Sequence, residues 1–112
     1  MSGVDLCRKL TLQDKVVSPD GAGGYGETWV DLGVVWADVG ARTGRDAGAD
    51  GAHLARTAFR IVVRGAPVGH STRPRAGQRF VETGRIFHIE AVAERDPRGR
   101  YLTCFAEEEV AA

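Results

Sequence analysis

The sequence predicts an all-β fold, a small antiparallel β-barrel or sandwich of about six strands with long projecting loops. Three observations predict it. Apolar residues recur at period two in several short segments, turn signals rich in Gly, Pro and Asp separate those segments, and almost no sustained helical period is present. With 112 residues, 43% of them hydrophobic, the chain is long enough to bury one modest core and is read as a single domain over 1–112. A chain of this size leaves much of its surface exposed, so contacts with neighbouring subunits are an expected source of stability.

The first strand spans Leu6 to Val17, with Leu6, Leu10, Leu12 and Val16 at even positions and Lys9, Thr11, Gln13 and Lys15 at odd ones. Ser18-Pro19-Asp20-Gly21 breaks it, and Gly21, Gly23, Gly24 and Gly26 mark a mobile loop or hairpin tip. Glu27 to Gly40 is a second, long strand rich in β-branched and aromatic residues. Its apolar positions are even up to Trp36 and odd from Val35 to Val39, which a bulge or bend at Leu32-Gly33 would explain. Residues 41–56 contain three glycines and almost no large apolar side chain, so they are expected to project from the body. Within them, Ala52 to Arg56 suits a helical turn or a loop equally.

Thr57 to Arg64 alternates sharply, with Phe59, Ile61 and Val63 on one side and Arg60, Val62 and Arg64 on the other. Residues 65–77 form a loop with two prolines and three glycines, Gln78 to Glu82 a short strand, and Thr83-Gly84 a tight turn. Arg85 to Glu94 follows, with Phe87, Ile89 and Ala91 on one face and Ile86, His88, Glu90 and Val92 on the other. Asp96-Pro97-Arg98-Gly99 has type I turn chemistry and leads into the last strand, Arg100 to Glu107.

Net charge is zero, yet its distribution is not even. Residues 1–41 and 86–112 each carry three basic and six acidic side chains, whereas residues 42–85 carry nine arginines against Asp46, Asp50 and Glu82. Such a pattern suits a surface that meets phosphates, complementary patches between subunits, or simply a solvated arginine-rich face. No run of about 18 apolar residues is present to span a bilayer, and the first 17 residues lack a signal-peptide apolar region, so a soluble chain made in the host cytoplasm is expected.

Chemistry is not encoded in any recognisable constellation. Cys7 and Cys104 lack metal or redox spacing and read as reduced strand residues. His53, His70 and His88 have no carboxylate or cysteine at a metal or triad spacing. The glycine-rich GAGGYGE lacks the Lys-Ser/Thr of a phosphate loop, and Glu107, Glu108 and Glu109 form a solvated acidic run. No enzyme, metal or cofactor is expected.

Several short motifs, in order, carry a resemblance. Arg8-Lys9-Leu10-Thr11-Leu12-Gln13 leads into an alternating strand, Gly26-Glu27-Thr28-Trp29 follows a glycine-rich turn, and Val35-Trp36-Ala37-Asp38-Val39 is similar to a "VWA" strand. Gly44-Arg45-Asp46, the strand Thr57 to Arg64 and Gly84-Arg85-Ile86-Phe87-His88-Ile89 complete the series. Together they resemble the phage head-tail joining family, the stopper or head-completion proteins of long-tailed phages and gene transfer agents. The chain departs from that family around Gly44 to Gly51, where members often carry a helix-forming stretch, and in the longer loop 65–77.

The resemblance implies a non-enzymatic virion protein of the neck. It would form a ring of six subunits, with an adaptor or portal ring on the head side, a tail terminator or tail tube on the tail side, and double-stranded DNA passing through the channel. By the same analogy the segment after the "VWA" strand faces the channel, which makes Arg42, Arg45 and Arg56 the candidates for contact with the DNA backbone. Those arginines are equally suited to bridging carboxylates of adjacent subunits. Two other readings compete: a neighbouring neck ring such as adaptor or tail terminator, and an independent small barrel that binds nucleic acid through exposed aromatics set between basic residues.

Overall fold

The computed structural model of the protein describes residues 3–42 and 57–109. Its strands are β1 (Arg8–Pro19), β2 (Tyr25–Ala41), β3 (Thr57–Arg64), β4 (Arg79–Glu82), β5 (Arg85–Glu94) and β6 (Tyr101–Glu108). They hydrogen-bond in the order β1-β2-β3-β6-β5-β4, all antiparallel, and β4 returns to β1 at Thr11, Leu12 and Gln13, so the sheet closes into a barrel. Closure decides between the two architectures left open by the period-two pattern.

The bulge expected in β2 is present. Leu12 pairs with Gly33 and Gln13 with Asp31, leaving Leu32 as the extra residue, and the inward side of β2 passes from Leu32 to Val35, Ala37 and Val39. Val34 and Trp36 consequently face outward, 51% and 53% exposed. Gly33 sits at φ +155° with the Thr72 methyl 3.2 Å from where a Cβ would stand, so the bulge is shaped for glycine.

A second bulge, not expected from the sequence, corrects the reading of β5. Ile89 pairs with Ala106 and Ala91 with Phe105, so Glu90 is extra; Ala91 turns outward and Val92 packs against the core in its place. Strand β1 also runs past the expected break, since Pro19 still pairs with Tyr25. The Asp20 N–H bonds the Gly24 carbonyl at 3.0 Å, which by alternation puts the Pro19 nitrogen on the free edge, where a missing donor costs nothing. Asp20 then closes the turn itself, its Oδ1 accepting from the N–H groups of Ala22 and Gly24.

Inside the barrel, Leu10, Leu12, Ile61, Val63, Phe80, Phe87, Leu102 and Cys104 are almost completely buried, and Phe59 meets Phe87 edge to face at 5.1 Å. Each large side chain buried this way contributes roughly 1.5–3 kcal/mol. Cys104 is a core residue whose thiol is pushed up to about 12 by burial, while Cys7 lies exposed just before β1, and both are free. The loop between β3 and β4 is held by Pro74, which is fully buried, and by Gln78, whose Oε1 accepts the Arg75 N–H at 2.8 Å. Gly65 enters this loop so close to the next turn that a Cβ would overlap the Gly99 carbonyl oxygen.

One end of the barrel is closed by charge. Arg8, Glu82, Arg85 and Glu108 stand two residues beyond Leu10, Phe80, Phe87 and Ala106, on the same inward-facing parity. Arg8 donates through Nε and Nη2 to both Glu82 oxygens at 2.8 and 2.6 Å. Arg85 does the same to Glu108 at 2.8 and 3.0 Å, its guanidinium lying over the rings of Phe87 and Phe59. Bidentate pairing of this kind fixes geometry as well as charge. The hydrogen bonds from Arg8 and Arg85 hold the Glu82 and Glu108 carboxyls below their ordinary value of 4.5, and both guanidiniums are raised in turn.

Two outcomes are expected. Gly65→Ala forces the Gly99 turn to move and lowers stability by about 2 kcal/mol or more in urea unfolding. Carboxyls whose pKa is lower in the folded chain bind fewer protons there than in the unfolded chain, so their stabilisation is complete above 4.5 and is lost as pH falls through the lowered values. Thermal melts should therefore change little from neutral pH to about pH 5 and fall below about pH 4, and the Glu82→Gln, Glu108→Gln double variant should melt lower at neutral pH with a flatter acid limb.

Candidate assembly surface

Beyond Gln13 and Asp31 no strand flanks β1 and β2 among the described residues, because β4 meets β1 only at Thr11, Leu12 and Gln13 and β3 meets β2 only from Ala37 to Ala41. Six residue pairs, from Asp14↔Val30 to Pro19↔Tyr25, thus leave the barrel as a two-stranded arm about 20 Å long. The arm carries the exposed apolar residues Val16, Val17, Tyr25 and Val30, with Tyr25 73% exposed near its tip.

Both faces of the arm's root are clamped to the barrel. On one face the Arg79 guanidinium lies 4.0 Å above the Trp29 ring, Arg79 Nε donates to Gln13 Oε1 at 2.7 Å, and Gln13 Nε2 donates to Asp31 Oδ1 at 2.7 Å. His88 extends this row, edge-on to Trp29 at 6.2 Å and 2.6 Å from Glu109 through Nε2. On the other face Arg75 reaches Asp14 at 3.7 Å. Isolated two-stranded hairpins are marginal in water, so these contacts are what hold the arm at one angle.

The outer wall beside the arm holds a cleft where β2 and β3 diverge. Leu6, Val34, Trp36, Arg64, Ala66 and Thr72 line a cavity of about 300 Å³ there, and β2 leaves its backbone edge unpaired alongside. No group of three or more metal-ligating side chains occurs among the described residues. His88 is engaged with Glu109 and Trp29, and His70 orders its own loop by accepting the Thr72 N–H at Nδ1.

Of the three channel candidates, Arg42 is described. It follows the last residue of β2, its N–H bonds the Ala58 carbonyl at 2.8 Å, and its guanidinium rests over the Phe105 ring at 5.3 Å. Residues 42 and 58 therefore stand side by side at the barrel end that the ion pairs close. Arg45, Arg56, the Gly44-Arg45-Asp46 motif, the Ala52 to Arg56 stretch and His53 lie outside the described residues. Sequence reasoning missed the arm. The signal was present in Val16 and Val17, adjacent apolar residues that cannot both face a core.

The profile of the phage head completion protein family matches residues 1–109. Among solved structures, a chain of the virion of a native gene transfer agent particle is 49% identical over 100% of both chains, with a TM-score of 0.80. The solution structure of protein SF1141 from Shigella flexneri 2a is 25% identical, again over 100% of both chains, with a TM-score of 0.72. No protein of curated function matches the chain. A family match spanning almost every residue and a full-length likeness to a virion chain lead to one conclusion: the chain belongs to the phage head completion protein family and is a structural component of the virion, with a head-tail role and not an enzymatic one.

Proposed function

We propose that the chain is a head-tail connector, a stopper that assembles as a six-membered ring between the portal-adaptor complex and the tail, and that double-stranded DNA passes through its centre. The observation that carries this reading is the family match over residues 1–109. The surface supports it: an apolar arm, an apolar cleft and an unpaired strand edge on so small a barrel are features of a subunit built to be covered by neighbours. Among the described residues every element is a strand, which also speaks against the helical adaptor ring.

Arg42, Arg45 and Arg56 are the residues assigned to the DNA backbone. Arg42 sits at the root of the 41–56 segment, and releasing its guanidinium from Phe105 costs only about 0.5–1 kcal/mol, so a phosphate can claim it. Contact of this kind is sequence-independent and weakens with salt.

Particles assembled without this chain should show full heads detached from tails or heads that lose DNA, and electron micrographs of complete particles should show a ring of density at the neck; normal, tailed, DNA-retaining particles in its absence would refute the connector role. Arg42→Glu, Arg45→Glu and Arg56→Glu combined should preserve the neck density but reduce DNA retention, most strongly at low salt where phosphate contacts count most. Unchanged retention by that triple variant would remove the DNA role and leave the connector role standing.

A further inference from the structure

We propose that the β1–β2 arm of one copy seats in the cleft of the next, so that a single repeated contact covers both exposed surfaces of the chain. This rests on the ring reading above and specifies its interface. The arm presents Val17 and Tyr25 with Glu27 on one face, and Glu27 is 59% exposed with only a 3.7 Å contact to Lys15. The cleft presents Val34 and Trp36 with Arg64 at its rim, and among the described residues no strand pairs with the β2 edge beside it, ahead of Ala37.

Charge selects a second copy as the occupant. Residues 14–30 carry Lys15 against Asp14, Asp20 and Glu27, a net negative arm. Among the residues that line the cleft, Arg64 on β3 is the charged one, so the recess is positive at its rim. A negative apolar projection and an apolar recess with an arginine at its rim are two different patches of the same chain, as the two halves of a heterologous contact must be, the type that closes identical subunits into a ring. Because its root is clamped by Arg79 and Arg75, the arm is pre-oriented, and little ordering is required when it docks.

The test uses assembled particles in which the photoreactive p-benzoylphenylalanine replaces Tyr25. Irradiation should give a dimer of this chain on a denaturing gel, with the adduct mapped to residues 34–36 or 64–72. An adduct to another virion protein or to a different part of this chain, or no adduct, overturns the inference. Charge exchange is the second measurement. Glu27→Arg and Arg64→Glu alone should each lower the yield of tailed, DNA-retaining particles by about tenfold or more, and the two together should restore it. Neutral single variants, or a double variant that restores nothing, also overturn the inference. Neck density in the same particles separates the two levels: a ring without these crosslinks removes only the arm-to-cleft contact, whereas absence of any ring removes the reading on which it rests.

Discussion

Closing a six-stranded sheet on itself requires β1 to pair along both of its edges, and β4, which completes the circle, is only four residues long. It meets β1 at Thr11, Leu12 and Gln13 and stops. Much else follows from that short seam. The core is limited to what six strands enclose over a few residues each, hence the small set of buried Leu, Phe, Ile and Val side chains. β1 and β2, at 12 and 17 residues, outlast every other partner and must leave the barrel together as the arm. Two bulges, at Leu32 and Glu90, adjust which residues face inward along β2 and β5.

A barrel this short has open ends close to its core, and the chain treats one of them with charge. Another apolar layer at the positions of Arg8, Glu82, Arg85 and Glu108 would have extended the core into solvent. Two bidentate pairs, each between neighbouring strands, instead close the end while remaining soluble, with the Arg85 guanidinium covering the aromatic rings beneath. The arrangement also changes the meaning of the charge segregation along the chain. Arg85 and Arg75 of the basic middle section pair with Glu108 and Asp14 of the acidic flanks, and β3 lies between β2 and β6 in the sheet. Sequence thirds of opposite sign are therefore interleaved on the folded surface.

What remains exposed is organised for contact. The arm is held at its root by stacked and hydrogen-bonded side chains from β1, β4 and the loop before β4, and its Val16, Val17, Tyr25 and Val30 stay exposed. The root of the 41–56 segment lies at the ion-paired end of the barrel, and the arm leaves from the other end, so the two features can serve different neighbours.

The amino-acid sequence by itself determined the strand set, because period two and turn chemistry are local properties. Thr57–Arg64 and Arg85–Glu94 have the bounds that their alternation implies, and Gly33 marked the bulge in β2 because its Cβ-free backbone is needed there. It also determined family membership, carried by short motifs in a fixed order. Only the tertiary structure decided the strand order, the closure through a three-residue seam, and the outward turn of Val34 and Trp36, since each depends on partners distant in the chain. The Glu90 bulge escaped local reading because Ala91 and Val92 are both apolar and either parity looks acceptable until β6 imposes its register. Arg8 and Glu82, 74 residues apart, read as ordinary surface charges along the chain, and only barrel closure brings them face to face.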